Sequence, residues 1–339
     1  MIKQQRASLA RHGMEAAIEK KSLHMAIISM AIAFSPPGHG ASGSKEESRG
    51  FSGRIQAGAG YVTSTDQLKK DADKRLDGLS TNADRFDRGI PLVLLDLRYT
   101  FASGRQLYFG TPMESGGRPA LSLGAVVPVK DGGKLDVSVF ASPFEKVWQD
   151  PYLLGGRRED TDKTTYGAKL AYSDILGTPA KVSYSLANLD VDDDEIGERF
   201  DTLERDGWLH EAQIAYVIPV GRGMSFVPSF EFSLGDLEGD ANSYKGYEVK
   251  LGLRKFSSGY MFNLFAGIGL NDYGNTHPIF EKTREDISYS AFAVFTRSNL
   301  LGKKPLFSSL IAGYRHRDSN IGFLDADSFL GGLTIGYTF

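Results

Sequence analysis

From Phe51 to Phe339 apolar residues recur at alternate positions in segments of about ten residues. This period of two limits what the chain can become more than any other feature. The last segment is the plainest. Phe329, Gly331, Leu333, Ile335, Tyr337 and Phe339 fall on one face, and Ser328, Gly332, Thr334, Gly336 and Thr338 on the other. Successive side chains of a strand point to opposite faces, so such a segment is a strand with one apolar and one polar side. The parity repeats upstream, in Phe226, Pro228, Phe230, Phe232 and Leu234, in Tyr247, Val249, Leu251 and Leu253, and in Val93, Leu95, Leu97, Tyr99 and Phe101. Charged residues at the centres of these segments must face water or each other, because a Lys or Arg turned into lipid at the midplane costs about 2–4 kcal/mol.

The pattern predicts strands at 51–64, 91–101, 105–111, 119–129, 134–144, 164–173, 180–188, 207–219, 224–235, 244–256, 260–272, 286–297, 305–316 and 328–339. Their connections alternate in length. Ser103-Gly104, 130–133, 174–179, 221–223, 257–259 and 298–304 are short, while 65–90, 145–163, 189–206, 273–285 and 317–327 are long. Short turns on one side of a membrane and long loops on the other are the habit of membrane barrels, and a sandwich has no reason to alternate so strictly. The expected fold is all-β: a transmembrane antiparallel up-and-down barrel of fourteen strands, closed edge to edge because lipid tolerates no open edge. The 105–111 strand is short, so twelve is the alternative count. The final strand ends on Phe339 with Tyr337 two residues before it, which resembles the C-terminal signal by which outer-membrane barrels are recognised for assembly.

Composition agrees. Hydrophobic residues are 41% of the chain, yet mean hydropathy is −0.25, as a barrel apolar at alternate positions requires. Helical spans would need apolar runs of about 20 residues. The net charge of −3 argues against nucleic acid as a partner. The absence of cysteine excludes disulfides, thiolate metal sites and thiol catalysis.

Upstream, a basic and polar stretch ends in Lys20-Lys21, an apolar run follows from Leu23 to Phe34, Pro36-Pro37 breaks it, and Ala41-Ser42-Gly43 supplies small residues. The run is too short to span a bilayer and suits the core of an export signal. Residues 1–43 are therefore expected to be a cleaved signal peptide, with translation starting at Met1 or Met14. Residues 44–50 are read as a polar lead-in and 51–339 as the barrel. A buried or anchoring helix is the other reading of the apolar run.

Some loops carry a resemblance. Val147-Trp148-Gln149-Asp150-Pro151-Tyr152, Arg158-Glu159-Asp160-Thr161-Asp162, Asp240–Tyr247, Asn275–Phe280, Lys282–Asp286 and Asp318-Ser319-Asn320-Ile321 are similar to stretches of a Gram-negative outer-membrane barrel family catalogued as a domain of unknown function. The resemblance runs over about 51–339. It implies a barrel in the outer membrane and brings no catalytic residues.

Fourteen strands about 4.8 Å apart and tilted about 40° close at a backbone radius of roughly 14 Å. The inward parity then contains Asp96, Arg98, Asp136, Lys169, Lys181, Glu211, Glu231, Glu248, Lys250 and Arg254. Such a set can line a hydrophilic passage that orients polar solutes, or form a salt-bridged interior that braces a closed barrel. Inward Gly58, Gly60, Ser183, Ser185, Ser229, Ser288 and Ser290 leave space and favour the passage.

Other chemistry is weaker. Asp190, Asp192 and Asp194 are spaced like the start of a calcium loop, but the sixth position, which should be Gly, is Glu195. A loose calcium site shared with lipopolysaccharide and a solvated loop are the two readings. His210 sits between Trp208 and Ala212 on the lipid-facing parity with no convincing Ser beside it, as an interfacial residue would. His277 and the His316/Asp318 pair sit at loop bases, where an Asp/His hydrolase at the rim could be built. Trp148, Tyr152, Tyr273 and Phe280 either line a solute entrance or anchor at the outer interface.

The function expected is a porin-like passive channel for small polar or charged solutes. The alternatives are a structural or adhesive barrel acting through its loops, and a rim hydrolase. The expected partners are outer-membrane lipid and lipopolysaccharide, the barrel-assembly machinery and periplasmic chaperones. No cofactor or metal is expected.

Overall fold

The computed structural model describes residues 49–80, 82–111 and 120–339. The signal-peptide reading of 1–43 and most of the lead-in lie outside those residues. In chain order the strands are β1 (Gly50–Ser64), β2 (Phe86–Thr100), β3 (Gln106–Gly110), β4 (Leu121–Pro128), β5 (Lys134–Trp148), β6 (Asp160–Ser173) and β7 (Ala180–Val191). β8 (Gly207–Tyr216) is interrupted at Val217 and resumes as Ile218–Gly221 along the same neighbour. Then come β9 (Met224–Leu237), β10 (Tyr244–Ser257), β11 (Tyr260–His277), β12 (Lys282–Ser298), β13 (Leu306–Ser319) and β14 (Ala326–Thr338).

Each strand pairs antiparallel with its sequence neighbours, and β1 pairs with β14 from Arg54↔Thr338 to Ser64↔Ser328. The sheet is closed, so no backbone donors are left on an open edge. The twelve-strand alternative falls because β3 is paired on both sides, Gly110 opposite Asp96 and Ser122.

Alternation decides which side chains meet lipid. On β14, Phe329, Leu333, Ile335 and Tyr337 face outward and exposed, while Leu330 and Thr334, at 2% and 1% exposure, are packed inside. Exposed aromatics bound the apolar belt. Phe51, Tyr99, Tyr216, Tyr260, Phe295 and Phe339 lie toward the rim of short turns, and Tyr61, Tyr166, Tyr184, Trp208, Tyr289 and Tyr314 toward the rim of long loops. Amphipathic rings favour both interfaces. The fold is a transmembrane β-barrel, closed on itself with an apolar belt outside. In outer-membrane-type barrels short turns lie on the periplasmic side and long loops outside.

The strands run further outward than the alternation predicts. β2 begins at Phe86 rather than 91, β5 continues to Trp148, β6 begins at Asp160, β11 reaches His277, β12 begins at Lys282 and β13 ends at Ser319. Beyond the belt both faces meet water or protein, so period two fades from the sequence while the hydrogen-bond ladder continues. Charge pairs decorate these extensions, as in Lys163–Glu145 at 2.9 Å and Lys146–Asp160 at 3.4 Å.

Two large apolar clusters lie inside the cylinder. One packs Val62, Ile90, Leu92, Phe292, Val294, Ile311 and Leu330 along the inner wall of β1, β2 and β12–β14. The other fills the outer mouth and is built from loops.

Candidate functional site

The ten charged residues read from the sequence as inward all sit on the parity opposite the exposed apolar stripe. They form local pairs along neighbouring strands. Arg98 Nε donates to Asp96 at 2.9 Å and the guanidinium lies over the Tyr108 ring. Tyr108 Oη donates to Asp136 at 2.8 Å. Ser185 donates to Glu211 at 3.1 Å and Gln213 to Glu231 at 3.2 Å. Glu231 and Glu248 stand directly opposite each other across β9 and β10. Two like charges in that register repel. Lys250 Nζ relieves them, reaching Glu231 at 3.2 Å and Glu248 at 3.1 Å. Arg254 lies over Phe265. Lys169 and Lys181 also have partners. Serine and glycine surround this half of the interior: Ser290 donates to Glu248, and a Cβ on Gly267 would press on Glu248 and Lys250.

The outer mouth is closed by a core that sequence reading missed. Leu76, Tyr152, Ile196, Leu203, Ala241, Ile321, Phe323 and Leu324 are buried together, with Leu68, Leu79, Phe200, Ile279 and Phe280 packed against them. They come from the connections β1–β2, β5–β6, β7–β8, β9–β10, β11–β12 and β13–β14. The Tyr152 ring, after β5, lies 5.0 Å from the His277 ring at the end of β11 and 5.5 Å from that of Phe323. β5 and β11 stand on opposing walls of the barrel, so these contacts bridge its width. The signal was present as bulky apolar residues inside polar loops, which a solvated loop has no use for.

Arginines clasp the cap. Arg158, 1% exposed, donates to the carbonyls of Gln67, Asp73 and Pro151 and to the Gln67 side chain, with its guanidinium 4.4 Å from the Trp148 ring centre. Burial pulls its pKa down to about 10 against the pull of Asp73 and Asp150. Arg205 ties Asp194, at 2.6 Å, to the carbonyls of Trp148 and Gln149. Arg317 joins Asp66 at 3.0 Å to the Leu324 carbonyl at 2.7 Å. Arg284 binds Asp286 at 2.6 Å beneath Tyr273.

These contacts revise several expectations. Trp148 and Tyr152 are buried in the cap, with Phe280 packed against its core, so they do not anchor at the outer interface. Tyr273 stacks under Arg284. Asp194 caps a short helix, α1 (Glu195–Arg199), and pairs with Arg205. Among the described residues no group of three or more His, Asp or Glu is placed to hold a metal ion. His277 is buried against Tyr152 and Phe280, its Nδ1 accepting from the Ile279 amide and its Nε2 without a hydrogen-bond partner. His316 pairs with Asp327 of the adjacent strand at 3.1 Å, not with Asp318, and Asp327 also accepts from Tyr314. Among the described residues neither imidazole bonds a carboxylate across the mouth, and neither bonds a Ser or Thr. His210 faces outward, hydrogen-bonded to the Tyr184 hydroxyl at 2.7 Å.

Below the cap, a cavity opens on the side of the short turns. Leu94, Met261, Phe292, Val294, Phe307 and Ile311 form its apolar wall, and Arg54, Gln56, Asp96, Arg98 and Tyr108 its polar side.

The sequence pattern of a family described as "Protein of unknown function (DUF2860)" matches residues 50–338. No curated protein matches the sequence. Among solved structures, an outer membrane channel from Pseudomonas putida F1 is similar at 12% identity, with 88% of this chain and 100% of that one covered and a TM-score of 0.45. The outer membrane channel DcaP of Acinetobacter baumannii is similar at 13% identity, with 85% and 96% covered and a TM-score of 0.42. A loop-deletion form of OmpT, an outer membrane protein of Vibrio cholerae, gives 11% identity, 85% and 98% coverage and a TM-score of 0.40.

Proposed function

We propose that this chain, which belongs to the DUF2860 family of proteins of unknown function, is a passive channel for small polar or charged solutes whose outer mouth is held shut by its loops. The supporting observation is the split of the interior into two materials. The wall through β5–β10 keeps opposed charges, serines and glycines at mid-height, around Lys250, Glu231 and Glu248. A barrel meant only to be solid could pack that wall with apolar residues at no greater cost, since buried ion pairs are seldom more stabilising than well-packed hydrophobes. The obstruction is concentrated in the loop core, a separate layer held by side chains that can come apart without breaking the strand ladder.

The test is planar-bilayer conductance. Wild type should give rare, small openings. Phe323→Ser with Leu324→Ser, which removes the centre of the loop core, should give frequent, larger ones. Correctly folded double variant with no conductance would end the channel reading.

The tightness of the cap favours a second reading, a barrel whose loops present a fixed outer surface and whose lumen carries nothing. Loss of surface binding on removal of 149–159, with permeability unchanged, would support it.

A further inference from the structure

We propose that the cavity inside the barrel, on the side of the short turns, is a binding site for a small apolar carboxylate, with its tail among the β11–β13 side chains and its head on Arg54. This goes beyond solute passage and requires only the barrel.

The cavity has a direction. Its inner end is the packed cluster of Val62, Ile90, Leu92 and Leu330, and Leu94, Phe292, Val294 and Ile311 continue that apolar surface toward the turns. Its open end carries Arg54, Asp96 and Arg98. Its lining, mostly apolar with a few placed polar groups, has the composition of small-molecule sites.

Most of the polar groups already have partners. Thr296 and Ser309 hydroxyls bond each other at 2.9 Å. Gln56 accepts from Thr334 at 3.1 Å. Arg98 is held by Asp96, by Gln106 and by the Tyr108 ring, and Tyr108 is spent on Asp136. Arg54 is opposite Asp96 in the β1–β2 register, yet the Asp96 carboxylate is engaged by Arg98. Among the described residues the Arg54 guanidinium has no hydrogen bond or ion pair, although it lines the cavity and is half-buried.

A cation short of a partner at the mouth of an apolar chamber selects its ligand. A carboxylate gains a charge-assisted, two-pronged hydrogen bond from guanidinium. A neutral sugar finds few free donors or acceptors on these walls. An amine is repelled, and a multiply charged anion meets one unpaired cation beside a carboxylate.

The test is calorimetric titration of the amphipol-held barrel with octanoate, with octan-1-ol and octylammonium as matched chains. Wild type should bind octanoate saturably at one site, bind octan-1-ol roughly tenfold more weakly, and ignore octylammonium. Arg54→Gln should weaken octanoate roughly tenfold, and Arg54→Lys should keep most of the affinity. Val294→Trp, which fills the chamber, should abolish binding, with folding of each variant read from its heat-dependent gel shift. Equal heats in wild type and both Arg54→Gln and Val294→Trp, or octan-1-ol matching octanoate, would overturn the site. Binding without conductance removes the channel and leaves the site standing. Conductance without saturable binding does the reverse.

Discussion

His277 carries the least comfortable atom in the cap. Its Nε2 is buried without a partner, in a pocket of Tyr152 and Phe280. Burial, with the positive charge of Arg284 adding to it, pulls its pKa from 6.5 down to about 4. In an opened cap the imidazole regains its ordinary value and binds a proton more readily. The closed state is therefore favoured fully above pH 6.5 and loses that advantage as pH falls toward 4, by an amount of a few kcal/mol. Amide exchange in 149–159, 278–281 and 320–325, corrected for intrinsic rates, should accelerate across that window in wild type. His277→Phe should flatten the response; an unchanged pH step in that variant would assign it elsewhere. Arg158 gives a second comparison. Arg158→Ala strands several buried carbonyls and should loosen the cap by about 3 kcal/mol or more. Lys146→Gln removes only half-exposed pairs with Asp160 and Asp162 and should cost less than about 1 kcal/mol. Protease nicking of the loops ranks the two, and equal rates would remove Arg158 as the clasp.

Elements were legible where lipid imposes a rule. Wherever one face must be apolar, as from Phe329 to Phe339, the sequence states the strand, its parity and its partner. Above the belt that rule lapses. Glu145-Lys146 and Asp160–Lys163 carry charges on both faces, so the outer ends of β5 and β6 read as loop although they are paired. The cap was harder still. Its residues, Leu76, Tyr152, Ile196, Ala241, Phe280 and Phe323 among them, come from six connections, and no period links them. Only the closed cylinder brings them together. The inward charges could be read from parity, but not that Glu231 and Glu248 would be cross-strand neighbours sharing Lys250. That arrangement makes a prediction for the β9–β10 pair. Lys250→Met leaves two facing carboxylates and should cost about 3–5 kcal/mol. Adding Glu248→Gln should recover much of the loss. Urea unfolding of the two single variants and the double measures the coupling, and additive losses would show that Lys250 bridges nothing.

At the scale of the molecule, the barrel and its cap are two structures with different glue. The barrel is a closed ladder of fourteen strands in which every strand has two neighbours. The cap is a set of loops joined by a small apolar core and a few arginines. Regions with few ladder bonds open at lower free energy than the elements that carry them. Wild type should therefore show two separable events, with the cap exposing its amides under mild acid or warming and the ladder holding until much harsher treatment. Phe323→Ser with Leu324→Ser should remove the first event and leave the temperature of the barrel's gel shift nearly unchanged, because neither residue belongs to a strand. The ladder's independence also bears on transport, since a mouth that opens while the wall stays intact is what a gated channel needs. If the double variant instead lowers the gel-shift temperature as far as a broken β1–β14 seam does, cap and barrel form one cooperative unit. Opening the mouth would then mean losing the barrel, and the fixed-surface reading would be the one left.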